Sequence, residues 1–473
     1  MADIYEQLES CILLLDGGFG TMVQQYGLTE EDYRGERFRE WPALLKGCND
    51  LLALTRPEAV REIHVKYLQA GADIIETDSF NANAVSLADY GLEAYAYEMS
   101  RAAAAVARSA ADEFTARNPQ KPRFVAGSMG PTNRTASMSA DVANPAAREV
   151  TFAQLVEAYT DQARGLLDGG ADILLVETIF DTLNAKAALA AVDDECRTRG
   201  IRTPVMISGT LSDASGRTLS GQTVEAFCTS LSHAQLLSLG LNCAYGAKQL
   251  LPYLERLAET APFRISAHPN AGLPNVMGGY DETPEMFAED VGEYMRRGLV
   301  NIVGGCCGTT PAFIARLHET FSPLTPADKI PIRRSCLCTP VRFVEVDGIT
   351  VVGERINPTG KKRLQQALRD GDMNYILEQA VSQAEAGAQI LDVNVGAPGV
   401  DEPARMEQVV KALQSVVSLP LQLDSSHAEA LERGLRVYNG KPIVNSVNGE
   451  EEKLNTILPL CKKYGAAVVG LAI

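Results

Sequence analysis

One phrase recurs along the first two thirds of the chain: small residues, an apolar run rich in strand formers, then a polar or acidic residue beside Gly, Thr or Asn. It occurs eight times, as CILLLDGG from Cys11, ADIIETDSF from Ala72, RFVAGSMG from Arg123, ADILLVET from Ala171, PVMISGT from Pro204, LLSLGLNC from Leu236, FRISAHPN from Phe263 and LVNIVGGCC from Leu299. Runs that are apolar throughout, rather than alternating, predict parallel strands covered on both faces. The intervals carry a helical period. From Pro57 to Ala70 the apolar positions are Val60, Ile63, Val65, Tyr67 and Leu68, with Gly71 next, and the run from Phe152 to Leu167 is closed by Gly169 and Gly170. Gly just past the last turn is the expected stop. Eight strand-helix units predict a (β/α)8 TIM barrel over residues 1–320, since no GxGxxG follows the first strand as an open dinucleotide-binding sheet requires. The long interval from Phe19 to Gly71 predicts extra structure over the barrel's mouth.

From Phe321 to Pro340 the pattern breaks into a proline-rich stretch without an amphipathic period, which predicts a linker over 321–345. The strand phrase then returns five times, as ITVVGERINPTG from Ile349, AQILDVNVGAP from Ala388, PLQLDSS from Pro420, PIVNSVNG from Pro442 and AAVVGLAI from Ala466, with four helices expected between. Residues 346–473 therefore read as a second, truncated (β/α) barrel, and the whole as an α/β fragment of a longer polypeptide.

Composition narrows the chemistry. A net charge of −17 argues against nucleic-acid or anionic-membrane partners, which need a basic patch. The N-terminus lacks a basic start and any apolar run long enough for a signal or a membrane span, so a cytoplasmic location is expected. Ten irregularly spaced cysteines do not resemble a secreted disulfide framework and are expected as thiols.

Barrel active sites form at the C-terminal ends of the strands. Three cysteines end strand phrases: Cys243 the sixth, and Cys306 with Cys307 the eighth. Adjacent residues of a regular strand point to opposite faces, so Gly304, Gly305 and Gly308 are expected to relax the backbone and turn both sulfurs to one point. Three converging thiolates suit zinc with an open fourth position. Inert core thiols and a vicinal redox pair are the other two readings, while Cys336 and Cys338 are read as structural. A free thiol near pKa 8.5 is only a few per cent ionised at neutral pH, and a metal deprotonates it. The expected chemistry is thiol alkylation.

These motifs also carry a resemblance. LLLDGGFGT at Leu13 to Thr21, LLVETIFD at Leu174 to Asp181, GLNCAYG at Gly240 to Gly246, HPNAGLP at His268 to Pro274 and GGCCGTTP at Gly304 to Pro311 resemble the homocysteine-binding barrel shared by cobalamin-dependent methionine synthases and betaine-homocysteine methyltransferases. The resemblance implies that Cys243, Cys306 and Cys307 hold zinc (Zn2+) and that homocysteine sulfur takes the fourth position. Asp16 and Glu177, each ending a strand, suit the substrate ammonium, and backbone N–H groups around Gly17, Gly18 and Ala271 its carboxylate; capping of the following helices is the alternative for the two acids.

GERINPTG at Gly353 to Gly360, LDVNVGAP at Leu391 to Pro398, LDSS at Leu423 to Ser426 and NSVNGE at Asn445 to Glu450 resemble pterin-binding barrels of methionine synthases and dihydropteroate synthases. Asp424 suits the adjacent N–H donors of a pterin edge, and Asn394 and Asn445 the remaining ring atoms. Asn445 is also the expected proton-handling residue near the leaving nitrogen. The resemblance adds Glu354 and Asp392, while His427 is read as a helix-terminal residue. Together the halves imply a cobalamin-dependent methionine synthase, with 5-methyltetrahydrofolate as methyl donor and homocysteine as acceptor. No Asp-x-His-x-x-Gly run occurs, so cobalamin is expected on another module of the parent polypeptide, and weak folate binding is expected from these residues alone. A betaine- or S-methylmethionine-type homocysteine methyltransferase and a non-catalytic thiol-binding module are the alternatives.

Overall fold

Each of the eight apolar runs of the first part contains one strand of a parallel sheet: β1 (Leu13–Leu14), β2 (Ile74–Glu76), β3 (Phe124–Met129), β4 (Ile173–Ile179), β5 (Val205–Gly209), β6 (Ser238–Gly246), β7 (Arg264–Asn270) and β8 (Ile302–Val303). The structure, a computed structural model, describes residues 3–139, 141, 143–144, 146–213, 215–275, 279–321, 326 and 334–472. The strands neighbour one another in the order β1-β8-β7-β6-β5-β4-β3-β2. A parallel bridge between Leu15 and Ile74 brings β1 to β2 and nearly closes a TIM-like barrel.

Alternation along the strands sorts the core into two layers. Ile74, Phe124, Ala126, Ile173, Leu175, Met206 and Ile302 fill the interior together with Ile4 and Leu8 of the helix Ile4–Ser10, which plugs the end opposite the mouth. Ile75, Val125, Leu174, Val176, Ile207, Leu239, Ile265 and Val303 face the helices outside. Both layers are apolar, which is why the strands read as unbroken apolar runs. The long first connection holds the helices Phe19–Gln25, Glu30–Arg34 and Leu52–Thr55. Trp41 is anchored there, its indole N–H donating to the Tyr90 carbonyl at 2.9 Å.

Of the expected linker, residues 322–325 and 327–333 lie outside the described residues. Its end is an antiparallel hairpin of β9 (Cys336–Cys338) and β10 (Phe343–Glu345). Burial makes so short a hairpin possible. Leu337 and Cys338 are enclosed, Cys338 Sγ lies 3.3 Å from Ser230 Oγ on the barrel, and Cys338 bridges Lys441 of the second unit.

The five later runs form a parallel sheet in sequence order: β11 (Val352–Ile356), β12 (Ile390–Val393), β13 (Leu421–Asp424), β14 (Ile443–Val447) and β15 (Ala467–Gly470). Five helices accompany them rather than the four expected. The first interval is split because Gly371, at φ +74°, ends the helix Lys362–Asp370 and Asp372 caps the next, Met373–Glu385.

The helix Thr182–Arg199 lies between the two units and is buried on nearly every side. Asn439 Oδ1 accepts from Thr182 Oγ1 at 2.8 Å and Gln222 Nε2 at 2.7 Å. The fully buried Lys186 donates to the Gly440 carbonyl, and burial lowers its pKa to about 8. The rings of Phe152 and Tyr464 meet with centroids 5.6 Å apart. No helix among the described residues is long and apolar enough to cross a membrane.

Candidate active site

The barrel's mouth gathers the three predicted cysteines. Where β6 ends, Cys243 and Ala244 have φ of +60° and +59°, and the register with β7 shifts between Asn242 and Gly246. A non-glycine residue held at positive φ costs on the order of 1–3 kcal/mol. That bulge aims Cys243 along the mouth. Past β8 the glycines act differently from one another. A Cβ on Gly304 would stand 2.7 Å from Leu15 Cβ, and one on Gly305 2.3 Å from Thr309 Oγ1, so these two permit close approach, whereas Gly308 both supplies a φ of +81° and makes room for Tyr280.

The three Sγ atoms lie within 4.8 Å of one another, and no other three His, Cys, Asp or Glu donors come so close together among the described residues. Cys243 and Cys307 are 3.8 Å apart at sulfur. A tetrahedral ion with Zn–S bonds of about 2.3 Å sets its sulfurs about 3.8 Å apart, whereas a disulfide needs about 2.05 Å. All ten cysteines are free. The donor set thus fits a thiophilic tetrahedral ion.

Hydrogen bonds from the Cys306 and Cys307 thiols pull the Cys243 pKa down to about 3, and for the same reason Cys306 is raised and Cys307 pushed up to about 11. Each sulfur also faces a side-chain donor. Asn242 Nδ2 lies 3.9 Å from Cys306 Sγ, while Asn270 and Tyr280 help to lower the pKa values of Cys243 and Cys307 respectively. Asn270 Oδ1 is buried without a partner.

Beside the sulfurs stand three carboxylates. Asp16 follows β1, Glu76 ends β2, and Glu177 sits at a bulge of β4 next to Thr178, whose φ is +54°. Asp16 Oδ2 accepts the Glu76 N–H at 3.0 Å, while Oδ1 is buried without a partner. Glu177 Oε1 accepts the Ser128 hydroxyl at 2.5 Å. Burial raises all three pKa values, and Asp16 and Glu76 are raised further by Glu177. Glu177 itself reaches about 7, burial first and then the charge on Cys243. Acids gathered this way stay ionised when a cation joins them. Helix capping is not their task, for Asp181 caps the helix after β4 and Gly18 is the N-cap after β1.

Of the N–H groups expected to hold the carboxylate, that of Gly18 donates to Thr309 Oγ1 at 3.0 Å and that of Ala271 to the Cys307 carbonyl at 3.0 Å. Gly17 and Gly18 matter because a Cβ on either would meet Thr309 or Cys306 at 2.7 Å. Sequence reading missed Glu76, Asn242, Asn270, Tyr280 and Thr309. Glu76, Asn242 and Asn270 did carry the signal of a polar residue ending a strand phrase.

In the second sheet the predicted residues meet at the C-terminal ends of neighbouring strands. Asn394 Nδ2 donates to Asp424 Oδ2 at 3.0 Å, and Gln422 Nε2 to Asp392 Oδ1 at 2.6 Å. Asn445 pairs with Asp424 in register. Exposed Glu354 lies 3.3 Å from Lys361 Nζ. Burial, with Asp424 and Glu354 nearby, lifts Asp392 to about 6. His427 is the N-cap residue of the helix Ala428–Arg436.

Residues 13–321 match the homocysteine S-methyltransferase family. The chain belongs to that family. Residues 353–473 match the pterin binding enzyme family, so this homocysteine S-methyltransferase carries a pterin-binding domain as well. The metallated form of the homocysteine methyltransferase MmuM from Escherichia coli is similar at 24% identity and a TM-score of 0.52, over 67% of this chain and 98% of its own. The oxidized form of MmuM aligns at 24% identity and a TM-score of 0.50, over 65% of this chain and 95% of its own. That likeness is one of fold. The thiol cluster and the three carboxylates lie in the homocysteine S-methyltransferase part, and the Asp392-Asn394-Asp424-Asn445 group lies in the pterin-binding part.

Proposed function

We propose that this homocysteine S-methyltransferase is the substrate-binding part of a cobalamin-dependent methionine synthase, forming methionine from homocysteine with 5-methyltetrahydrofolate as methyl donor and cobalamin as carrier on another module of the parent polypeptide. The observation that carries the reading is the union, on one chain, of a three-thiol barrel of this family and a pterin-binding domain. Residues 1–320 form the homocysteine unit, 321–345 the join and 346–473 the pterin unit of a cytoplasmic enzyme.

Cys243, Cys306 and Cys307 would hold zinc, which when bound deprotonates the substrate thiol at its open position and keeps that sulfur electron-rich. The chain's own residues do the rest. Asp16, Glu76 and Glu177 take the homocysteine ammonium, whose charge answers the unpartnered Asp16 Oδ1. Fixing that end turns the sulfur toward the methyl donor and removes the entropy of a freely rotating chain. In the second unit Asp424, oriented by Asn394, accepts from the pterin edge, with Asp392 and Glu354 beside it. Asn445 donates to the nitrogen that loses the methyl group.

A betaine- or S-methylmethionine-type enzyme uses the barrel alone and leaves the second unit's carboxylates without a task; a thiol-binding module without catalysis leaves both. The test is methionine formation from homocysteine and exogenous methylcobalamin, with zinc content measured beforehand. The zinc-loaded chain should turn over, and Cys306→Ala should lose zinc and activity together. Turnover with betaine or S-methylmethionine but not methylcobalamin would overturn the assignment, as would homocysteine binding without any turnover.

A further inference from the structure

Two side chains at the thiol cluster are built to point hydrogen-bond donors at particular sulfurs. The Asn242 amide cannot be turned round. Its Oδ1 accepts from Ser208 Oγ at 2.7 Å and from the Thr178 N–H at 3.1 Å. The amide nitrogen therefore faces Thr178 Oγ1 at 2.8 Å, Glu177 Oε2 at 3.5 Å and Cys306 Sγ at 3.9 Å. A flipped amide would set its oxygen against a carboxylate and a sulfur and its NH2 against an N–H. Ser208 and Asn242 are both buried, so no solvent relieves that conflict.

Tyr280 reaches the cluster from the other side. Its ring lies over Gly308, where a Cβ would stand 2.4 Å from Tyr280 Cγ. The Cys307-Gly308 turn thus admits the ring only because residue 308 lacks a side chain. The phenol is thereby set beside Cys307: burial first and then the charge on that sulfur raise the Tyr280 pKa.

We propose that Asn242 and Tyr280 are positioning residues that hold the Cys306 and Cys307 thiolates through N–H···S and O–H···S bonds and set how electron-rich the sulfur cluster is. The inference rests on reading the three cysteines as metal ligands. Three protein thiolates and a substrate thiolate around a dication leave a net double negative charge, and each donor withdraws part of it. Partners that orient metal ligands in this way typically contribute 10–100-fold to metal affinity.

Cobalt(II) titrated into the metal-free full chain reads this directly, because thiolate-to-cobalt charge transfer falls in energy as sulfur becomes more electron-rich. Tyr280→Phe keeps the ring on Gly308 and removes only the hydroxyl, while Asn242→Leu removes the amide. The expected result is a red-shifted charge-transfer band in both variants and metal release to a competing chelator at roughly 10–100-fold lower chelator concentration. Should Asn242→Leu fail to fold, Tyr280→Phe decides. Wild-type bands and affinity in the folded variants would overturn the proposal while leaving the metal site intact. A wild-type chain without cobalt-thiolate bands would overturn the metal site, and this inference with it.

Discussion

Asp16 is held at one oxygen only. Oδ2 takes the Glu76 N–H and Oδ1 has no partner, in the company of two more carboxylates. The ligand-free fold therefore stores unfavourable charge. For an acid whose folded pKa is raised, the native state binds the proton more tightly, so stability falls as pH climbs from the unfolded value to the folded one. For Glu177 that window runs from 4.5 to about 7. Asp16→Asn keeps the acceptor for Glu76 and puts an NH2 group at the empty position, facing the carboxylates. It should stabilise the ligand-free protein at pH 8 by about 1–2 kcal/mol in urea unfolding and weaken homocysteine at least tenfold by calorimetry. A less stable variant would refute the charge argument. Asp16 and Glu177 were legible as acids that end strands. Glu76 was not, because Glu76, Thr77 and Asp78 stand side by side in one phrase, and only strand phase in the barrel selects the one that joins the cluster.

At the scale of elements, the loop after β8 works as a tie between strands. Thr309 Oγ1 accepts the Gly18 N–H at 3.0 Å and donates to the Cys306 carbonyl at 2.6 Å. The β1 end and the cysteine turn are thereby fixed to each other. Gly305→Ala would place a methyl group 2.3 Å from that oxygen, where only backbone movement relieves it. Overpacking of this kind costs about 1–3 kcal/mol. The expected signature is bound zinc per chain falling well below wild type, with secondary structure by circular dichroism unchanged. Full zinc loading in Gly305→Ala would show that the tie does not position the ligands. The glycines were readable as a flexible run, but their separate reasons were not, since close approach depends on β1 and on Thr309.

Across the whole molecule, burial of Lys186 and Asn439 joins the two units. Lys186 donates to Gly440 across the junction, and Thr182 and Gln222 share Asn439 Oδ1. Lys186→Ala would leave a buried carbonyl unpaired and open a cavity, together worth about 2–4 kcal/mol at the interface. The wild type should unfold in one calorimetric transition and Lys186→Ala in two. A single unshifted transition in the variant would show that the contact does not couple the units. The ion pair Lys463–Asp194, 2.8 Å long and partly exposed, adds little by comparison.

The sequence alone determined the strands of the two parallel sheets and the three cysteines, though not the β9–β10 hairpin, because a strand covered on both faces must be apolar along its whole length and must end where polar residues meet the mouth. It determined too the second sheet and its Asp392-Asn394-Asp424-Asn445 group. Tertiary structure alone decided which groups share a point in space: Glu76 with Asp16 and Glu177, Asn242 with Cys306, Tyr280 with Cys307, and Lys186 with Gly440. Those pairs lie on different elements. Their meeting depends on strand phase, on bulges at Glu177 and Cys243, and on close approaches that local sequence does not encode.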